Sequence, residues 1–278
     1  MNLPQDWTLE SLGNCCKVVS GSTPRRNKSE YWNGDIDWVT PKDLSHLNSS
    51  VLQEAPEKIT ELGYKSCSTT LLPKGSILFS SRAPIGLIAI AGKPMCTNQG
   101  FKSLIPNSSV YSAYLYWCMR FFTPQLASQG CGTTFKELSK TVVEKFKIPL
   151  PPLEEQKRIA KILDKADEIR RKRKESIRLT DELLRSTFLD MFGDPVINPK
   201  GWEVKKLGEI ANFVGGGTPS RKINSYYQGD ICWITSKDMG KDIIEDSQEH
   251  ITLEAIENSS TKMIEKKCLL IVVKSKIL

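Results

Sequence analysis

One constraint dominates what this chain can fold into: it contains part of itself twice. Trp7–Leu44 aligns without a gap on Trp202–Met239 at a constant offset of 195, and 16 of the 38 positions are identical. GSTPRRNKSEYWNGDIDWVTPKDL is answered by GGTPSRKINSYYQGDICWITSKDM, a match too specific for low complexity. After a three-residue deletion the similarity resumes, with EKIT at Glu57–Thr60 facing EHIT at Glu249–Thr252. The first copy runs to about Leu150, whereas the sequence stops at Leu278, so the second copy is expected to lack roughly half its domain.

Between the copies lies a segment of different character. IPLPPLEEQ at Ile148–Gln156 places prolines and then Glu154 and Glu155 where a helix begins, and neither Pro nor Gly recurs until Gly193. This predicts one helix over about 153–192, on the order of 57 Å long at about 1.5 Å per residue. Its apolar residues fall at heptad spacing: Ile162, Ile169 and Leu183 on one line, Leu163, Ile177, Leu184 and Met191 on its neighbour. Such a stripe packs along another helix, so Ile162, Ile169, Ile177, Leu183 and Leu184 are the expected packing positions. Arg170–Lys174 interrupts the stripe as a basic run; either it faces DNA or a partner subunit, or it is solvated with its stems along the coil.

The copies themselves read as mixed α and β. Short β-rich pieces at Ile36–Thr40, Ser76–Ser80 and Leu87–Ala91 are bounded by Gly, Pro and Asn. Tyr111–Phe122 carries a helical pattern whose aromatic stripe is read as core, and Leu269–Val273 is a strand candidate. The expected fold class is therefore α+β, divided as domain one over 1–150, a coiled-coil spacer helix over 151–195 and an incomplete second domain over 196–278.

Exclusions narrow the function. No apolar run approaches the roughly 18 residues of a membrane span, and the N-terminus has no signal pattern, which places the chain in the cytoplasm. Eight cysteines occur without any C-x-x-C, with only His46 and His250 to assist, which argues for reduced thiols rather than a structural zinc site. GGGTPSRK at Gly215–Lys222 lacks P-loop spacing. Asp194, Glu203 and Lys205 form a nuclease-like pattern, yet the first copy has Thr8 and Glu10 at the positions of Glu203 and Lys205, so chance is the better account. A stand-alone metal-dependent nuclease and a dimerising scaffold without DNA specificity remain the alternative readings.

What remains is binding. The net charge of +7 divides as +5 over 1–150, +1 over 151–195 and +1 over 196–278. Arg25, Arg26 and Lys28 follow a Gly/Ser/Thr turn, and Lys42, Arg82 and Lys136 sit in further polar loops beside Asn98 and Gln99. Such cations hold phosphates or read guanine, and side-chain amides read bases. These eight are the candidate DNA contacts, with no catalytic or metal-binding residue expected.

The chain resembles a known family. Trp7 followed by Leu12-Gly13, then GSTP, the string Tyr31–Trp38, CTNQGFKSL at Cys96–Leu104, GTTFKELSK at Gly132–Lys140 and above all IPLPPLEEQKRIAKILD at Ile148–Asp164 look like the specificity subunit of type I restriction-modification systems. The resemblance implies two target-recognition domains, each reading half of a split DNA sequence, separated by antiparallel conserved helices. It implies no catalysis of its own. S-adenosylmethionine would serve the modification subunits, ATP and Mg²⁺ the restriction subunits. Without a second conserved helix in the chain, the expected partner for 153–192 is a second copy, giving a homodimer that reads an interrupted palindrome on double-stranded DNA.

Overall fold

In the computed structural model, residues 4, 6–82, 84–131 and 136–273 are described. The chain divides into two compact units, Met1–Phe188 and Leu189–Leu278. The Gly132–Phe135 part of the GTTFKELSK motif lies outside the described residues.

The first unit begins with β1 (Thr8–Ser11), α1 (Leu12–Cys15) and β2 (Cys16–Ser20). Next come β3 (Trp32–Val39), α2 (Pro41–Ser45), β4 (Val51–Leu52), β5 (Lys58–Ile59) and α3 (Glu61–Lys65). β6 (Ile77–Phe79), β7 (Ile88–Ala91), β8 (Cys96–Thr97) and β9 (Lys102–Pro106) follow, then α4 (Ser112–Ser128), α5 (Lys140–Lys145), β10 (Lys147–Leu150) and α6 (Leu153–Phe192). A five-stranded sheet runs β2-β9-β6-β7-β4, a three-stranded sheet runs β5-β3-β8, and β1 pairs with β10.

Period-two alternation explains the core. On β6, Ile77 and Phe79 face a cluster with Leu115, Met119 and Phe122 of α4, while Leu78 faces Val39, Ala89, Ala91 and Phe101 on the other side. Both faces of the sheet are thus covered, which is why Ile77, Leu78 and Phe79 are all fully buried. Of the aromatic stripe over 111–122, Tyr114, Tyr116 and Phe122 are core, whereas Tyr111 and Phe121 are exposed. Antiparallel pairing of Thr8 with Leu150 brings the two ends of the domain together immediately before α6.

The long helix starts and stops where the sequence indicated, and its first half docks on the domain. Ala160 packs with Tyr114 and Cys118, and Trp117 Nε1 donates to Asp164 at 2.8 Å. Asp167 is buried and accepts from Arg170 at 2.9 Å and Arg171 at 3.0 Å, while Arg171 also donates to the Asn48 carbonyl at 2.9 Å. Lys172 pairs with Glu168 at 2.7 Å. Three members of the basic run are therefore engaged with carboxylates of the helix itself. From 172 to 192 every residue is exposed.

The second unit holds α7 (Leu207–Ile210), whose residues are all exposed, and β11 (Ile231–Cys232), β12 (His250–Ile251) and α8 (Leu253–Glu257), with a small core of Tyr226, Trp233, Ile251 and Ala255. The strand expected at Leu269–Val273 does not form; these residues are irregular, with Leu269, Ile271 and Val273 exposed. Its counterpart β6 is held between β7 and β9, whereas no strand pairs with 269–273 among the described residues. A strand without ladder partners gains no backbone pairing. Among the described residues, no helix is long and apolar enough to cross a membrane.

Candidate nucleic-acid interface

Five segments of the first unit, the turn Thr97–Gly100 at their centre, come together. The turn is set locally: Asn98 Oδ1 accepts from the Gly100 amide at 2.9 Å, a side-chain mimic of a backbone turn. The Gly21 loop lies directly against it, with Ser22 N–H donating to Thr97 O at 3.0 Å. A Cβ on Gly21 would stand 2.0 Å from the Asn98 carbonyl oxygen, so only glycine permits this approach. The loop after β3 joins through Asn98 N–H to Val39 O at 3.0 Å. The loop after β6 joins through Ser81 N–H to Gly100 O at 2.7 Å, and 136–138 joins in turn through Leu138 N–H to Ser81 O at 2.9 Å. All eight candidate residues lie on these five segments.

Their side chains divide sharply in what they do. Arg26 forms a two-pronged pair with Glu57 while its guanidinium lies 4.0 Å from the Trp32 ring centre and 4.8 Å from that of Trp38. The hydrogen bond from Arg26 holds the Glu57 carboxyl below the usual carboxylate range. Arg82 Nε pairs with Glu137 at 2.9 Å, and the buried Lys102 reaches the same carboxylate at 3.3 Å. Burial alone would raise the Glu137 pKa, but its bonds to Arg82 and Lys102 prevail and lower it. Lys28 has the looser Glu30 at 3.5 Å. Among the described residues Arg25, Lys42 and Lys136 have no ion-pair partner, and all three are exposed. Gln99, at an exposed position, accepts from Thr23 through Oε1.

The loop after β3 is rigid for a local reason. Thr40 N–H and Oγ1 both donate to Asp43 Oδ2, at 2.7 and 2.8 Å, closing a capping box that fixes the first turn of α2 and the place of Lys42. Sequence reasoning missed Glu57, Lys102 and Glu137, the residues that pin Arg26 and Arg82. Glu57 could have been found, because it recurs as Glu249 in the second copy; Lys102 and Glu137 carry no such signal.

The second copy reproduces part of this scaffold. Arg221 pairs with Glu249 and lies 4.4 Å from the Tyr227 ring and 5.0 Å from that of Trp233. Thr235 caps through Asp238 at 2.8 Å from both its amide and its hydroxyl. Trp233 Nε1 donates to Gly217 O at 3.1 Å, as Trp38 Nε1 does to Ser22 O at 2.9 Å. The nuclease-like pattern is not assembled: Asp194 Oδ1 accepts from the Val196 amide at 2.8 Å, and Glu203 pairs with Lys205 at 3.2 Å. Neither carboxylate belongs to a metal-capable group of three among the described residues.

Comparison with known proteins gives a consistent result. The family described as the type I restriction modification DNA specificity domain matches residues 4–179 and 199–277. The chain is 33% identical over 285 aligned residues to the type I restriction enzyme MjaIX specificity subunit of Methanocaldococcus jannaschii, covering 96% of this chain and 66% of that protein. It is 32% identical over 172 residues to the EcoR124I/EcoR124II specificity subunit of Escherichia coli, covering 58% of this chain and 41% of the relative. Among solved structures, a chain of a type I restriction-modification system superposes with a TM-score of 0.55 at 25% identity, covering 68% of this chain and 46% of its own. The HsdS subunit of Thermoanaerobacter tengcongensis gives 0.50 at 26% identity, over 62% and 40%. The chain thus spans two thirds or less of the length of these relatives.

Proposed function

Because the chain belongs to the family of type I restriction-modification DNA specificity domains, we propose that it is the DNA-reading subunit of such a system, without catalysis of its own. Its first domain reads one half of a split target in double-stranded DNA and, with α6, docks the modification subunits, through which restriction subunits join. S-adenosylmethionine chemistry then belongs to the modification subunits, and ATP and Mg²⁺ to the restriction subunits. The setting is the cytoplasm, where DNA and these partners are available.

The observation that carries this reading is the loop cluster around Thr97–Gly100, where Arg25, Lys42 and Lys136, exposed and without an ion-pair partner among the described residues, lie on neighbouring hydrogen-bonded segments of the most basic part of the chain. Unpaired cations fit phosphates and base edges, whereas Arg26 and Arg82 already have carboxylate partners. The test is binding to duplex DNA across a salt series, followed by mapping of adenines methylated when the chain is combined with a modification subunit of the same source. Each lost phosphate contact lowers the slope of log K against log salt by about 0.9. Arg25→Ala and Lys136→Ala are expected to flatten the slope and weaken binding, while Arg26→Ala acts mainly on stability. Salt-independent binding, or the opposite ranking, refutes the assignment.

The apolar line on α6 supports a second element of the proposal. Ile162, Ile169, Ile177, Leu183 and Leu184 are 44–66% exposed. A second copy packed antiparallel along this stripe would cover it and set two first domains over two half-sites. A concentration-dependent dimer that Ile177→Lys with Leu184→Lys dissociates is the expected sedimentation result; a monomer at micromolar concentration overturns the homodimer.

A further inference from the structure

The second unit carries a side-chain cluster that lies outside the candidate DNA contacts named above. Cys232 on β11 and His250 on β12 are directly opposite one another in the antiparallel register, so their side chains emerge on the same face. Asp246 approaches from the preceding loop. Its Oδ1 lies 2.9 Å from His250 Nε2 and 3.4 Å from Cys232 Sγ, and the thiol lies 3.8 Å from the imidazole nitrogen. The Ser247 amide, at 2.9 Å, orients that same oxygen.

The repeat shows what this position accommodates. The equivalent residues of the first copy are Asp37, Glu54 and Lys58, with Asp37 opposite Lys58 in the same register. There a cation lies at the centre: Lys93 Nζ is 2.7 Å from Asp37 Oδ2 and 3.9 Å from Glu54 Oε1, while Lys58 holds Glu54 at 2.6 Å. The second copy replaces Asp37 by a thiol, shortens Glu54 to Asp246 and exchanges the Lys58 ammonium for an imidazole. Every exchange trades a lysine-binding set for a metal-binding one.

We propose that Cys232, Asp246 and His250 bind a borderline divalent cation, zinc above all, which ties the 246–250 segment to β11 where the first copy uses lysine. With bonds of about 2.3 Å to sulfur and about 2.0–2.2 Å to nitrogen and oxygen, tetrahedral ligands stand roughly 3.4–3.6 Å apart. The three observed separations of 2.9, 3.4 and 3.8 Å bracket this range, so sub-ångström shifts of exposed side chains suffice. Binding releases the Cys232 proton to solvent, uses neutral His250 through Nε2 and leaves a fourth position for water. Spacing rules miss the site, because cross-strand register rather than a C-x-x-C turn brings the donors together.

The test is titration of the full chain with Co²⁺ and then displacement by Zn²⁺. One Co²⁺ per chain with a thiolate-to-cobalt charge-transfer band is expected, lost in Cys232→Ser and His250→Ala and weakened at least tenfold in Asp246→Asn. The exposed thiols Cys131 and Cys268 supply the control: their double serine variant must keep the band. Far-UV circular dichroism checks folding, and His250→Gln, a closer match in size, must also lose the band. A band that survives Cys232→Ser, that vanishes in the Cys131 and Cys268 control, or that never forms at equimolar Co²⁺ overturns the site.

Discussion

Gln156, the last residue of IPLPPLEEQ, is the pin between α6 and the recognition domain. Its side chain is 1% exposed, and it spends all of its nearby hydrogen-bonding capacity on backbone. Oε1 accepts from the Tyr111 amide at 2.8 Å, and Nε2 donates to the Ser109 and Pro151 carbonyls, both at 2.9 Å. Tyr111 is the residue before the first turn of α4, so one side chain joins the starts of two helices. Gln156→Leu removes three bonds worth about 1 kcal/mol each net, and leaves the Pro151 carbonyl buried without its partner. Water can reach Ser109 and Tyr111, which are exposed positions, so the loss is expected at about 2–4 kcal/mol. With a urea slope of about 2 kcal/mol/M, the unfolding midpoint of the first unit falls by roughly 1–2 M.

Gln156→Glu sharpens the test. It keeps the acceptor for Tyr111 but turns a carboxylate oxygen toward two carbonyls, which raises its pKa in the folded state. A raised carboxyl binds more protons folded than unfolded, so its relative stability is present below about pH 4.3 and is lost as pH rises through the folded value. The deficit against wild type should therefore be smallest near pH 4 and grow toward neutrality. A leucine variant within about 0.3 M of the wild-type midpoint, or a glutamate variant with no pH trend, would show that the pin contributes nothing.

Two further outcomes follow from the loop cluster. Gly21→Ala should lower stability by several kcal/mol and abolish DNA binding, because its Cβ would overlap the Asn98 carbonyl, whereas the equivalent Gly216→Ala has nothing within 4 Å and should be silent; thermal melts of both decide. The carboxyls of Glu57 and Glu137 sit below their ordinary range, Glu57 through its bond from Arg26 and Glu137 through Arg82 and Lys102 despite burial, so the stability they add is present above the unfolded carboxyl range and is lost as pH falls through their folded values. Glu57→Gln and Glu137→Gln should each flatten the acid limb of a stability–pH curve, and a curve parallel to wild type would count against both pairs.

The parts of this molecule legible in the sequence are those encoded locally or by repetition. The prolines and Glu154–Glu155 set the start of α6, and Gly193 its end. Short β-rich runs bounded by Gly, Pro and Asn identified β6 and β7, and β6 reads as an unbroken apolar run because both faces of the sheet are covered. Pairings between distant segments left little trace: nothing in Thr8–Ser11 announces Lys147–Leu150, and Glu57, 31 residues on from Arg26, is marked only by its recurrence as Glu249. Arg26 and Arg82 looked identical to Arg25 and Lys136 as loop cations, and only the carboxylates that reach them in space separate the two sorts. The strand expected at Leu269–Val273 failed for the converse reason, since a strand-forming composition acquires order only when a neighbour supplies the ladder.

The repeat also separates frame from reader. Positions identical in both copies are mostly consumed in internal bonds: Arg26 and Arg221 on glutamate and aromatic rings, Trp38 and Trp233 on loop carbonyls, Thr40 and Thr235 in capping boxes. Positions that differ, such as Arg25 against Ser220 and Lys28 against Ile223, point outward from the same loop. Under the proposed function, two domains reading different half-sites would need one frame and two outward surfaces, and base choice is expected in the second set. Lys42 and Lys237 break the pattern in an instructive way. They are identical yet exposed, and neither is in an ion pair among the described residues. A cation kept unchanged on both copies suits what every half-site has in common, the phosphate backbone, so Lys42→Ala should weaken binding evenly across target sequences, while Arg25→Ala, besides flattening the salt slope, should change which sequence is preferred.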